Sequence, residues 1–189
     1  MTIKTDYSRF DIHDELTAPE GSQRILNGVL TGGGEISKFI GVLAGSPAAL
    51  RAFARMRHEL REGTLARATR ERISLAVAER RNDTYSVAQH ARTARAAGLG
   101  LDEVSRARSF ASGDPKEAAL LVFLRALLDS DNRPDPYLGE EAREAGWTDE
   151  ELLEAVAHVA LSEFQTLIAN AAALPQDQID QSALPAAAA

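Results

Sequence analysis

The sequence predicts an all-α fold, on three observations. Alanine and leucine are abundant while aromatic residues make up only 5% and β-branched residues are sparse, a mixture that favours helix over strand. Apolar residues recur at helical rather than alternating spacing. Three helix-start signals punctuate the chain: Ser46-Pro47, Asp114-Pro115-Lys116-Glu117 and Thr148-Asp149-Glu150-Glu151. With 189 residues and 44% hydrophobic content, the chain suits one domain with a real core, or two small helical halves sharing one.

The elements follow in order. Residues 1–20 are polar without a clean period and read as an N-terminal arm, ordered on a neighbouring subunit if at all; residues 21–175 read as the helical domain. Ile25, Leu26, Val29 and Leu30 form a short amphipathic turn that Gly32-Gly33-Gly34 ends. The glycine run lacks the spacing of a phosphate loop and reads as a linker. Ser46 caps a helix with Pro47 at its first position, and Leu50, Phe53, Ala54, Met56 and Leu60 supply its buried side.

A helix over about 65–81 follows, with Ile73, Ala76 and Val77 marking one apolar stripe. Asn82-Asp83 breaks it, and the next helix, about 84–97, ends at Gly98, well placed for a left-handed cap. Asp114 to Glu117 reads as a capping box launching the most apolar segment, 118–128. Pro134 and Pro136 enforce a loop, a shorter helix runs to Gly146, and the Thr148 capping box opens a long helix that Pro175 terminates. Residues 176–189 read as a flexible tail. Ala94 to Leu99 and Ala142 to Trp147 echo one another, each followed by acidic residues, which suggests one helix–Gly–helix corner used twice.

Composition also bounds the chemistry. The absence of cysteine removes disulfides, thiolate metal sites, thiol nucleophiles and dithiol redox motifs together. No apolar leader segment and no run of about 18 apolar residues is evident, so the expectation is a cytoplasmic protein without a membrane partner. A net charge of -7 argues against nucleic acid. The middle of the chain is nevertheless basic, with eleven arginines against five acids over residues 51–100. Such a stretch suits solvated helix faces and salt bridges, and it also suits attraction of a small anionic molecule.

One constellation carries chemistry. Glu71 is followed after eleven residues by Asp83, after two more by Ser86 and after three more by His90. Asp83, Ser86 and His90 share a helical face, and an antiparallel return brings Glu71 toward it, so carboxylate, hydroxyl and imidazole together suit proton transfer. Tyr85 is a further phenolic candidate. The plainer readings are a helix cap for Asp83, an unremarkable third helical position for Ser86, a solvated carboxylate for Glu71, a structural histidine for His90 and a packed aromatic for Tyr85.

This spacing resembles that of the AhpD-like alkylhydroperoxidases of the carboxymuconolactone decarboxylase superfamily: Glu, eleven residues, Cys, two residues, Cys, three residues, His. Leu60 to Leu65, His90 to Gly98 and Leu161 to Phe164 add to the likeness, which covers about residues 46–172. The resemblance implies an AhpD-like helical fold with a central antiparallel helix pair, in a homo-oligomer that is a trimer or hexamer. It carries Glu71 and His90 over as proton-transfer residues. Asp83 and Ser86 occupy the two cysteine positions, so disulfide exchange cannot proceed. The related decarboxylases imply cofactor-independent lyase or isomerase chemistry on a small anionic organic molecule, with one of the arginines anchoring a carboxylate. A non-catalytic oligomer that binds a ligand or partner is the alternative.

On the last helix Glu151, Glu154, His158 and Ser162 form a second polar stripe, expected to face solvent or another subunit. It lacks the paired Glu-x-x-His pattern of carboxylate-bridged metal bundles, so no metal or other cofactor is expected. His13 and His58 have no companions at ligand spacing.

Overall fold

The computed structural model describes residues 8–129 and 133–175. Residues 1–7 of the expected arm and the expected tail, 176–189, lie outside them. The described residues form helices and no strand: α1 (Glu20–Thr31), α2 (Lys38–Ala44), α3 (Pro47–Arg61), α4 (Arg67–Arg80), α5 (Thr84–Ala96), α6 (Leu101–Ala107), α7 (Pro115–Asp129), α8 (Pro136–Glu144) and α9 (Asp149–Ala172).

α4 and α5 are the central pair. Asn82 adopts φ 52° and ends α4, and the Asp83 N–H reaches back to the Ala78 carbonyl at 2.9 Å, so three residues turn the chain antiparallel. The single apolar stripe expected on the first of these helices is a correction: Arg72, Ile73, Ser74, Leu75, Ala76, Val77 and Ala78 are all buried. A helix enclosed on every side needs no polar face. α5, α6 and α9 surround it.

α9 spans two cores. Leu152, Ala155 and Val159 pack with Ile73 and Val77 of α4 and with Leu120, Leu121 and Leu124 of α7. Leu161, Ala169 and Ala172 pack with Leu26, Phe39, Leu43, Leu50 and Phe53 of α1 to α3. By length and composition α9 is apolar enough to cross a membrane, with mean hydropathy 1.3, and along that length it packs into the two cores.

The Thr148 capping box forms, with the Glu151 N–H donating to the Thr148 hydroxyl and the Thr148 N–H to the Glu151 carboxylate. The Asp114 box forms by half. Asp114 accepts the N–H groups of Lys116 and Glu117, whereas the Glu117 side chain turns inward to accept from Thr69 at 2.6 Å and to face Arg72 at 3.4 Å. The repeated corner is present in both places. Gly98 (φ 93°) and Gly146 (φ 100°) are left-handed, and the next residue's N–H bonds five residues back, Leu99 to Ala94 and Trp147 to Ala142.

Two N-terminal features differ from expectation. α2 occupies what reads in sequence as the stretch between a linker and the Ser46 cap; at 7 residues it is too short to show a period, and burial of Phe39, Leu43 and Ala44 sustains it. Residues 8–19 lie against their own chain, the Arg9 N–H donating to the Ala172 carbonyl at 2.7 Å and the His13 N–H to Gly41 at 3.0 Å. Gly41 permits that approach, since a Cβ there would strike Ile12 and the His13 carbonyl.

Candidate active site

The antiparallel return places Glu71, one turn into α4, beside His90 in the middle of α5. Glu71 Oε2 lies 2.9 Å from His90 Nδ1, and the Thr93 hydroxyl donates to the same oxygen at 2.6 Å. Both side chains of the pair are mostly but not wholly covered, 15% and 20% exposed, which leaves an approach from outside. Burial pushes the Glu71 carboxyl upward, but the hydrogen bonds from His90 and Thr93 and the charges of His90 and Arg67 outweigh it and hold the group below its ordinary range. An ionised Glu71 only accepts, so Nδ1 carries the proton of this bond and Nε2 is the nitrogen left for chemistry. No described residue bonds Nε2 or Glu71 Oε1.

The other sequence candidates are placed as follows. Asp83 caps α5, its Oδ1 accepting the Ser86 N–H at 3.0 Å; it is buried, and its Oδ2 has no partner. Ser86 is buried one turn before His90. Tyr85 packs in the N-terminal core with its hydroxyl accepting from Gln89 at 3.3 Å. No hydrogen bond joins any of these three to Glu71 or His90 among the described residues. The structure thus brings together the pair and Thr93, a residue sequence reasoning missed although it stands three positions after His90 on the same face.

The stripe on α9 is internal, which corrects the expectation of a solvent- or subunit-facing surface. Ser162 meets Ser74 of α4 at 3.1 Å in a buried contact. His158, 6% exposed, turns Nε2 to the Leu60 carbonyl at 3.3 Å and lies 3.8 Å from Glu154. Burial lowers its pKa, helped by the charge of Arg70 and opposed by the Leu60 hydrogen bond and by Glu154 and Glu71. Glu71–His90 between α4 and α5 and Ser74–Ser162 between α4 and α9 make a polar seam along α4. The α9 positions have partners at distant points of the chain, so their inward direction has no local signature.

Comparisons with known proteins agree with this fold. Residues 47–126 match the carboxymuconolactone decarboxylase family. An alkylhydroperoxidase AhpD core, an uncharacterized peroxidase-related protein from Ralstonia eutropha JMP134, superposes with TM-score 0.80 at 21% identity, over 91% of this chain and 93% of that one. A peroxidase-related protein from Silicibacter sp. TM1040 gives 0.77 at 17% identity, over 94% and 96% of the two chains. A protein of unknown function from Agrobacterium tumefaciens gives 0.63 at 18% identity, over 70% and 92%. No curated protein sequence matches the chain. Residues 47–126 are thus similar to the carboxymuconolactone decarboxylase family, and the described residues adopt the AhpD-like helical fold in a chain that has no cysteine.

Proposed function

We propose that the protein is a cofactor-independent acid/base enzyme of lyase or isomerase type acting on a small anionic organic molecule. The observation that carries this reading is the Glu71–His90 hydrogen bond, which orients an imidazole with its second nitrogen unengaged. In this role Glu71 is the orienting carboxylate, Thr93 holds Glu71, and His90 Nε2 exchanges the proton with substrate. In an isomerisation, Nε2 removes a proton from a carbon next to a carbonyl and returns it at another carbon. In a decarboxylation, His90 Nε2 first takes a proton from solvent; the bond to the carboxyl carbon breaks, its electron pair remains as an enolate, CO2 departs, and Nε2 gives that proton to the carbon left behind.

Asp83, Ser86 and Tyr85 are the further candidates for contacting substrate, with the capping and packing roles described above as their structural share. Dithiol peroxidase chemistry does not belong to this reading, because the chain has no thiol to attack a peroxide. The reading includes a cytoplasmic homo-oligomer, trimer or hexamer, with no nucleic-acid or membrane partner. Carboxymuconolactone is the natural first probe. Release of CO2 from it, lost in His90→Gln with the fold retained, supports the reading; turnover undiminished in that variant overturns it. A non-catalytic ligand-binding oligomer is the alternative, and it predicts binding that depends on His90 without any turnover.

A further inference from the structure

We infer that Arg67 is the residue that anchors the substrate's carboxylate at the Glu71–His90 site; the inference rests on the acid/base reading of that pair. An anion held near the Glu71 carboxylate is repelled unless a cation faces it, and the basic middle of the chain offers several guanidinium groups. Most are committed elsewhere. Arg70 gives one nitrogen to the carbonyls of Leu60 (3.1 Å) and Arg61 (2.6 Å), closing the end of α3. Arg72 is buried between Glu103 at 3.2 Å and Glu117 at 3.4 Å. Arg80 is paired with Asp129 at the far end of α4, and Arg92 donates to Gln89 at 3.0 Å.

Among the described residues, Arg67 alone of the α4 arginines has no hydrogen bond or ion pair, and it is exposed. It stands one turn before Glu71, and positions 67, 71 and 74 follow one face of α4 toward the seam. The i, i+4 spacing on α4 sets Arg67 beside Glu71, and its charge is among those that act against the upward push of burial on that carboxyl. Arg95 is equally exposed and unpaired, but it lies five residues after His90 on α5, well round the helix from the face that carries His90 and Thr93. A carboxylate held by the planar fork of Arg67 would lie at the outer edge of the pair, with the rest of the molecule directed along the seam toward His90 Nε2.

The test is a titration of the full-length protein with succinate, followed through the His90 Cε1–H resonance, which is assigned by its loss in His90→Gln. Wild-type protein should show a saturable shift, with acetamide as a neutral probe giving none. Arg67→Gln should weaken succinate binding by about tenfold or more, as loss of a charge-assisted contact does. Arg67→Lys should fall between the two, and Arg95→Gln should match wild type. Absence of a saturable shift in wild type, equal affinity in Arg67→Gln, or equal losses in Arg67→Gln and Arg95→Gln would overturn the assignment. If Arg67→Gln binds succinate as wild type does while Glu71→Ala still changes the His90 tautomer, the anchor is wrong and the acid/base pair stands. If neither variant has an effect, both readings fall.

Discussion

The Glu154 carboxylate accepts the backbone N–H and the hydroxyl of Thr64, each at 2.7 Å, tying α9 to the turn that launches α4. The Leu65 N–H adds a third bond at 3.2 Å. These hydrogen bonds outweigh the burial that would raise the carboxyl, and its pKa is lowered. Gly63 leaves the room: a Cβ there would collide with the carboxylate. Glu154 can swing away from an added methyl, so the cost of Gly63→Ala is the lost bonds rather than the collision. We expect it to destabilise the protein by about 0.5–1.5 kcal/mol, because the Thr64 donors stand at the surface, where water can replace the carboxylate. At about 2–4 °C per kcal/mol the Tm of the variant should fall visibly, and an unchanged Tm would show that the carboxylate does not brace this turn.

His158 makes stability depend on pH. Its pKa is lowered from 6.5, chiefly by burial, so on acidification the unfolded chain takes up the proton first. The stability is therefore complete above about pH 6.5 and is lost as pH falls below it toward the folded value. Glu71 and Glu154, both lowered, act in the same direction in a more acidic window, below 4.5. His158→Gln keeps a donor for the Leu60 carbonyl and does not titrate. The decline in wild-type Tm between about pH 7.5 and 5.5 should flatten in that variant. An identical slope in both proteins would remove His158 as the cause.

A second buried network holds the opposite side of α4. Arg72 bridges Glu103 and Glu117, while burial raises the Glu117 carboxyl despite Thr69 and Arg72, and Glu117 Oε2 has no partner. Arg72→Ala leaves the buried Glu117 without its cation, while Glu103 keeps its bonds from Ser112 and Gly113, and should cost about 3 kcal/mol. Glu117→Gln keeps an acceptor for Thr69 and has no charge to desolvate, so its cost should be only about 1 kcal/mol. Chemical denaturation measures both, and equal losses would contradict the asymmetry.

How far the site was legible in sequence follows from the range of each interaction. Glu71 and His90 could be paired on paper because a three-residue break between two helices leaves little freedom in how they return. Thr93 was hidden by its ambiguity: a helical hydroxyl ordinarily bonds its own preceding carbonyls, and this one also lies 3.3 Å from those of Gln89 and His90. His158 and Ser162 looked like an outer face because polarity is the local cue for solvent. Their partners, Leu60 and Ser74, lie about ninety residues away in the chain. The enclosure of α4 was masked by the arginines at its two ends.

α9 also carries Leu153 and Leu167, 72% and 63% exposed, with Ala160 and Ala171 on the same uncovered side. If the proposed homo-oligomer forms through this side, Leu167→Glu should shift light scattering at micromolar concentration toward the 20.3 kDa monomer. A wild-type protein that is already a monomer contradicts the oligomer. A wild-type oligomer unmoved by the substitution places its interface elsewhere.

The most direct measurement is the protonation pattern of the His90 ring, read by long-range proton–nitrogen correlation in wild type and Glu71→Ala. In the neutral imidazole we predict the proton on Nδ1, held by Glu71, with Nε2 carrying the free lone pair that a general base requires. Glu71→Ala should move the population toward the Nε2–H tautomer. Wild-type His90 found protonated on Nε2, or tautomer populations indifferent to the loss of Glu71, would contradict the account.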